Sequence, residues 1–392
     1  MPKNTVIVYA KRTAIGKFCG SLGQIPASKL GASLVQNALI HMPFLKDETN
    51  EIIMGQVLTA GAGQAPARQT ALYGGLSTKV PSLTINKVCG SGLKAVMLAH
   101  QSIMNGDSEI VLAGGQENMS LAPHLLMNSR SGYRFGSVEM KDHMQWDGLT
   151  NPYDNSAMGI CGELCAKEYK ISRTEQDEFA LMSYERSRHS TESGLFKDEI
   201  VPIEISQKGI SSFVEKDEEP FSVDLSKIKN LKPAFDPSGS ITAGNASSIN
   251  DGAALLVLMS EENAKKRGLP VLGRIVASAT HAHEPNWFTT APIEGIKKVL
   301  TKASMKIQDI DLFEINEAFS VVTLTAAKQL GLDLSKVNIR GGAVSLGHPI
   351  GASGARILVT LLHALKHEKK KRGLASVCIG GGESCNLIVE VP

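Results

Sequence analysis

Glu109-Ile-Val-Leu-Ala-Gly-Gly-Gln-Glu117 and Ala375-Ser-Val-Cys-Ile-Gly-Gly-Gly-Glu383 share one layout, a short β-rich apolar run closed by glycines, at an offset of 266 residues. A second pair, Cys89-Gly-Ser-Gly-Leu93 and Gly351-Ala-Ser-Gly-Ala355, lies in the same order at an offset of 262. Like-ordered pairs at nearly one offset predict an internal duplication. The flanking sequence supports strand–helix alternation around both copies. Thr5–Ala10, Glu51–Val57 and Pro81–Ile85 read as strands, with helical spacing in Ser28–His41, Ala65–Tyr73 and Gly90–Met104 between them. The last third repeats the theme: strands at Val271–Ala279, Asp311–Ile315 and Ala375–Ile379, helices at Ile293–Ala303, Glu317–Leu330 and Gly351–Leu365. Such alternation predicts an α/β fold.

At 392 residues the chain exceeds the size at which one core keeps growing, so two or more domains are expected. Hydrophobic residues at 42% and charged residues at 20% exclude wholesale disorder. Forty-one basic against 39 acidic residues are too balanced to argue for a nucleic-acid or membrane partner. No run approaches the roughly 18 apolar residues of a membrane span, and the amino-terminal segment reads as a first strand, not a signal h-region. Six cysteines in a chain this long do not form a disulfide framework, so a reducing cytoplasm is the expected setting.

The middle differs in texture. From Met119 to about Asn245 it carries one of the two tryptophans, four of the six tyrosines and charge clusters that include Glu215-Lys-Asp-Glu-Glu219. One clear helix, Thr174–Ser193, opens on the capping-box spacing Ser172-Arg-Thr-Glu175. An insertion between two similar halves is the reading, and long insertions between strands commonly carry specificity.

Three turns hold candidate chemistry. Cys89 stands between a strand and a helix, where unpaired N–H groups and the helix dipole favour thiolate; by position alone it is equally a buried cysteine closing a turn. His348, in Gly341-Gly-Ala-Val-Ser-Leu-Gly-His-Pro-Ile-Gly-Ala-Ser-Gly354, could deprotonate a thiol or donate to an oxyanion. Cys378 precedes Gly380-Gly-Gly382, whose N–H groups could form an anion-binding concavity, and Asn316 ends a strand where it could hold a water or a carbonyl. A metal is not expected, because no C-x-x-C spacing is present. Cys161 and Cys165, four apart on a helical stretch, read as core, and His281 and His283 as loop residues.

In order and spacing, Val88-Cys-Gly-Ser-Gly92, Asn316-Glu-Ala-Phe319, the Gly341–Arg356 segment and Cys378-Ile-Gly-Gly-Gly382 resemble the thiolase family. Ala10-Lys-Arg-Thr-Ala-Ile-Gly16 and Thr242-Ala-Gly-Asn-Ala-Ser-Ser-Ile-Asn-Asp-Gly252 match as well, so the likeness runs end to end. The resemblance implies a thiolase fold of two similar five-layered αβαβα halves with an inserted loop domain. It divides the chain into 1–118 plus 250–270, a loop domain at 119–249 for coenzyme A and oligomer contacts, and 271–392. Cys89 then matches the acylated nucleophile, Cys378 the acid/base cysteine and His348 the residue that activates Cys89 and binds the thioester oxygen. Asn316 matches the holder of an oxyanion-hole water, with the backbone of Cys89 and Gly380 forming a second hole. Ser247 matches a pantetheine contact, and Met158, Phe288, Leu149, Phe235, Ala318 and Phe319 match substrate-binding positions. The implied reaction is the condensation of two acetyl-CoA to acetoacetyl-CoA, or the reverse thiolysis, with no separate cofactor and with acyl-CoA substrates. A homo-oligomer is implied, a tetramer rather than a dimer, through Met119–Met140.

Departures from the family pattern are local. Ala157-Met158-Gly159 stands where His-Met-Gly is common, Trp287-Phe288 where the biosynthetic branch carries methionine, and Gly382-Glu-Ser-Cys-Asn386 where G-M-G usually continues. Lys227, Lys229 and Lys232 could meet a nucleotide phosphate or form a solvated face. Alternatives are a degradative thiolase of broader chain length, a decarboxylating ketoacyl synthase and a non-catalytic acyl-CoA-binding relative. The second cysteine argues against the synthase; the presence of all four site residues argues against the binding protein.

Overall fold

The computed structural model describes residues 4–207 and 209–392. The first half runs β1 (Thr5–Thr13), α1 (Ala27–His41), β2 (Glu51–Gly55), α2 (Pro66–Tyr73), β3 (Ser82–Ile85), α3 (Ser91–Asn105) and β4 (Ile110–Asn118). The insertion follows, with α4 (Met158–Glu168), α5 (Arg173–Glu192) and the hairpin β5 (Ile203–Gln207) and β6 (Ile210–Val214). β7 (Asn250–Ser260) then returns the chain to the first half. The second half comprises β8 (Gly273–Ala282), α6 (Ala291–Lys302), β9 (Leu312–Ile315), α7 (Ser320–Leu330), α8 (Ile350–His367), β10 (Arg372–Ile379) and β11 (Glu383–Glu390).

The strands order as β9-β10-β11-β8-β1-β7-β4-β2-β3, so the second half mirrors the first about the β1–β8 contact. That contact is antiparallel and short, Val6 opposite Arg274 and Ile7 opposite Gly273. Alternation along the strands splits the apolar residues between three cores. In β7, Leu255, Val257 and Met259 face an outer core with Leu30, Leu34 and Ala71 of α1 and α2, whereas Ala254, Leu256 and Leu258 face a central one. The central core joins Leu93 and Val96 of α3 and Ile357 and Leu361 of α8 to Val377 and Leu387 of the other half. A third core sets Ile296 and Val299 of α6 against Leu374 and Ile388. Five layers therefore run through the two halves as one unit, α3 and α8 forming the shared middle layer. Strands buried on both faces explain why β7 reads as a near-continuous apolar run.

Small residues let the central helices touch. A Cβ on Gly92 would lie 2.8 Å from Ala355 N, and one on Gly354 would lie 2.6 Å from Leu93 N. Gly92 and Gly354 are equivalent by the 262-residue offset, so the duplication is visible in the packing.

The structure extends and corrects several sequence readings. β4 runs on through Gly114-Gly115 to Asn118, because its pairing with β7 continues to Asp251. α7 begins at Ser320, three residues later than periodicity suggests, since Asn316–Phe319 is an extended turn. His281 lies in β8, not in a loop, and pairs in register with Ser384. Cys161 and Cys165 are buried on α4. The α5 capping box is present, Ser172 Oγ accepting from Glu175 N. The acidic run is only partly a surface: Asp217 is buried and forks onto Arg12 at 2.7 and 2.9 Å, pinning the insertion to β1. No described helix is long and apolar enough to cross a membrane.

Candidate active site

Cys89 sits in the turn from β3 to α3, and the residue before it, Val88, has φ +44°. A β-branched residue in the left-handed region is strained, and the turn is held by Ser91. Its Oγ donates to Val88 O at 2.7 Å and accepts from Lys87 N at 2.8 Å. The half-buried thiol opens onto a cavity of about 280 Å3. Burial pushes it up to about 11, outweighing the N–H groups of Gly380 and Cys89 that favour thiolate; Glu117 adds a smaller upward push. The helix N-terminus therefore does not yield a resting thiolate, contrary to the expectation from position alone. A base is required.

His348 meets that need in the same cavity. Its backbone N–H donates to Asn250 Oδ1 at 2.9 Å, and its Nδ1 lies 2.6 Å from Ser353 Oγ. Because Ser353 Oγ donates to Pro349 O at 2.9 Å, it is left to accept from Nδ1–H. This network assigns the tautomer: Nε2 carries the lone pair, is buried and has no protein partner. Burial, then Arg356, pushes the imidazole down to about 3, so it is neutral at rest. A neutral thiol and a neutral base line the same cavity.

Asn316 and Cys378 arrive from adjacent parallel strands, β9 and β10, with Asn316 N donating to Ser376 O at 2.9 Å. Both side chains are buried, and neither Oδ1 nor Nδ2 of Asn316 has a protein partner. A buried amide with no partner is rare and marks a place for water or substrate. Burial first, then the neighbouring Cys89 thiol, which disfavours a second negative charge beside it, drives the Cys378 thiol well above its usual range.

The cavity is lined by Cys89, His348 and Gly380, and its walls are apolar. Leu149, Met158, Phe288, Ala318 and Phe319 form part of them. Phe235, partly exposed, stands edge-on to Phe319 at 6.0 Å. Ser247 also lines it, but its hydroxyl already donates to Ala318 O at 2.9 Å. Lys227 is exposed beside Asp224 at 3.3 Å, and Lys229 and Lys232 are exposed too. Among the described residues no group of three or more His, Cys, Asp or Glu side chains is placed to hold a metal.

Sequence reasoning missed Ser353 and Asn250, which orient His348, and Met119 and Ile350 in the cavity wall. Ser353 was detectable, since the 262-residue offset pairs it with Ser91, and both hydroxyls tie down the turn before their helix.

Residues 5–262 match the thiolase N-terminal domain model and residues 269–391 the thiolase C-terminal domain model. The chain belongs to the thiolase family. Among its relatives, an acetyl-CoA acetyltransferase of Cupriavidus necator is 51% identical over 389 residues, covering 99% of both chains. One of the same name from Allochromatium vinosum is 48% identical over the full length of both. A probable acetyl-CoA acyltransferase of Staphylococcus aureus is 46% identical over 386 residues, 98% of each chain. In this thiolase fold the turns that lead into α3 and α8, at Cys89 and His348, are the duplicated feature, and they converge on one cavity. The His348 turn follows a short helix, Ala343–Leu346, and not a strand.

Proposed function

We propose that this thiolase is an acetyl-CoA C-acetyltransferase, condensing two acetyl-CoA to acetoacetyl-CoA or cleaving it in reverse through an acyl-Cys89 intermediate. The observation that carries the reading is that a protonated Cys89 thiol and a neutral His348, its Nε2 unpartnered, line one largely apolar cavity. His348 Nε2 takes the Cys89 proton as sulfur attacks the thioester carbon, and Cys378 gives its proton to the departing coenzyme A thiolate. The second acetyl-CoA then loses a methyl proton to the Cys378 thiolate. Protonated His348, with a water on Asn316, stabilises the enolate oxygen. The enolate carbon attacks the acetyl group, whose oxygen is received by the N–H groups of Cys89 and Gly380. Cys89 leaves and recovers its proton from His348, so every group returns to its starting state.

The thioesters supply the chemistry, and no separate cofactor is part of the scheme. Residues 119–249 serve as the loop domain in this reading, meeting coenzyme A and other copies of the chain. The exposed apolar residues Leu126, Met127, Phe135 and Met140 support self-association as a tetramer. Six free cysteines suit a cytoplasmic setting. The test is incubation with acetyl-CoA, followed by peptide mass analysis and an assay of acetoacetyl-CoA loss on adding coenzyme A. Acetyl on Cys89 and coenzyme A-dependent loss are expected; acetylation elsewhere, or activity retained in Cys89→Ala, refutes the assignment.

A further inference from the structure

Glu117, in the last turn of pairing along β4, is fully buried. Its carboxylate accepts three backbone N–H groups, none from its own strand. Oε2 takes Val57 N–H and Gly351 N–H, each at 2.9 Å, and Oε1 takes Leu58 N–H at 3.2 Å. Gly351 lies in the first turn of α8, three residues after His348, and that helix has no side-chain cap of its own. Glu117 therefore caps it from the opposite half of the molecule. A carboxylate suits both the unpaired N–H groups and the positive end of the helix dipole.

All three contacts require an acceptor. A protonated carboxyl or an amide would turn a donor toward one of these N–H groups. Burial pushes the Glu117 carboxyl up to about 7, the three N–H groups oppose that, and Asp251 on the paired strand β7 adds a smaller upward push. The charge of Glu117 in turn raises the Cys89 thiol. Asp251 and Cys89 are the titratable groups whose charges couple to it most directly.

We propose that Glu117 is a positioning residue for acyl transfer, locking the His348 turn against the first half. The proposal rests on the acyltransferase reading above. Glu117→Gln removes the charge at constant size, whereas Glu117→Asp keeps the charge but draws it back by one methylene. For both variants, kcat for acetoacetyl-CoA thiolysis should fall about 10²-fold, as misplacement by about 1 Å commonly does. KM should stay within about threefold. The pH profile for iodoacetamide alkylation of Cys89 should move to lower pH in Glu117→Gln and less in Glu117→Asp. Wild-type kcat with an unmoved alkylation profile overturns the proposal, as does a loss of thermal stability with both kinetic readouts unchanged. If Glu117→Gln does not fold, Glu117→Asp decides on kcat. Alkylation needs no substrate, so a wild type inactive on acetoacetyl-CoA refutes the acetyl-CoA acetyltransferase reading while still leaving Glu117 tested.

Discussion

Replacing Phe288 by alanine tests what bounds the acyl chain. The ring is 3% exposed, packs against Phe319 at 6.4 Å, shares a core with Cys378 and forms part of the wall of the 280 Å3 cavity. Deleting its six ring carbons leaves space that about four methylenes of a longer substrate can enter. At about 0.8 kcal/mol per buried methylene the gain is at most about 3 kcal/mol, or roughly 10²-fold in kcat/KM. The wild type should therefore prefer acetoacetyl-CoA to eight- or ten-carbon 3-ketoacyl-CoA, and Phe288→Ala should reverse or flatten that order. Burying a ring this fully also stabilises the fold. Phe→Ala in a core costs about 3–5 kcal/mol, with the lower end expected here because one side of the ring faces open space. The assay is kcat/KM for thiolysis across four- to ten-carbon substrates, with urea unfolding in parallel. An unchanged chain-length order in a destabilised variant would show that Phe288 only packs. A wild-type preference for long chains would refute the idea that the ring closes the pocket.

Other perturbations separate the remaining roles. Cys378→Ser should still acquire acetyl on Cys89 but lose condensation by about 10²–10⁴-fold, measured by mass analysis and product formation; normal condensation would assign the base elsewhere. Folded His348 binds no proton until about pH 3, whereas a histidine in the unfolded chain binds one below its usual 6.5. Stability should thus fall as pH drops from about 6.5 toward 3, and His348→Asn should show a shallower fall in urea unfolding; equal slopes would contradict the burial argument. Arg12→Ala leaves Asp217 and Glu199 buried without their guanidinium and should cost about 3–5 kcal/mol of unfolding free energy. A loss under about 1 kcal/mol would show that water replaces the ion pairs.

Elements with strong periodicity were legible from the sequence, down to the capping box at Ser172. β7 and β11 were not, because strands buried on both faces lack alternation, and β7 opens on Asn250-Asp251-Gly252, which reads as a turn. Cys89, His348 and Cys378 could be located through their glycine-rich turns. Their ionisation could not: Cys89 at a helix N-terminus suggests thiolate, yet the depth of burial decides against it. Depth comes from three-dimensional packing, which a single motif does not encode. Asp217 was hidden for the same reason, since a charge run looks solvated until its partner, Arg12, is found 205 residues away.

The shared middle layer dictates an order of events during synthesis. The inner face of the first sheet needs both α3 and α8, and α8 begins only at Ile350. Between Ser260, the end of β7, and His367, the end of α8, the chain grows by 107 residues, which takes about 5–21 s at about 5–20 residues per second. For that interval the nascent chain holds Leu256, Leu258 and Val111 without their final neighbours. A chaperone that shields apolar surface has its natural substrate in this intermediate, and slow codons after Ser260 would lengthen its exposure. Truncation before α8 should consequently yield aggregates and not a smaller folded protein.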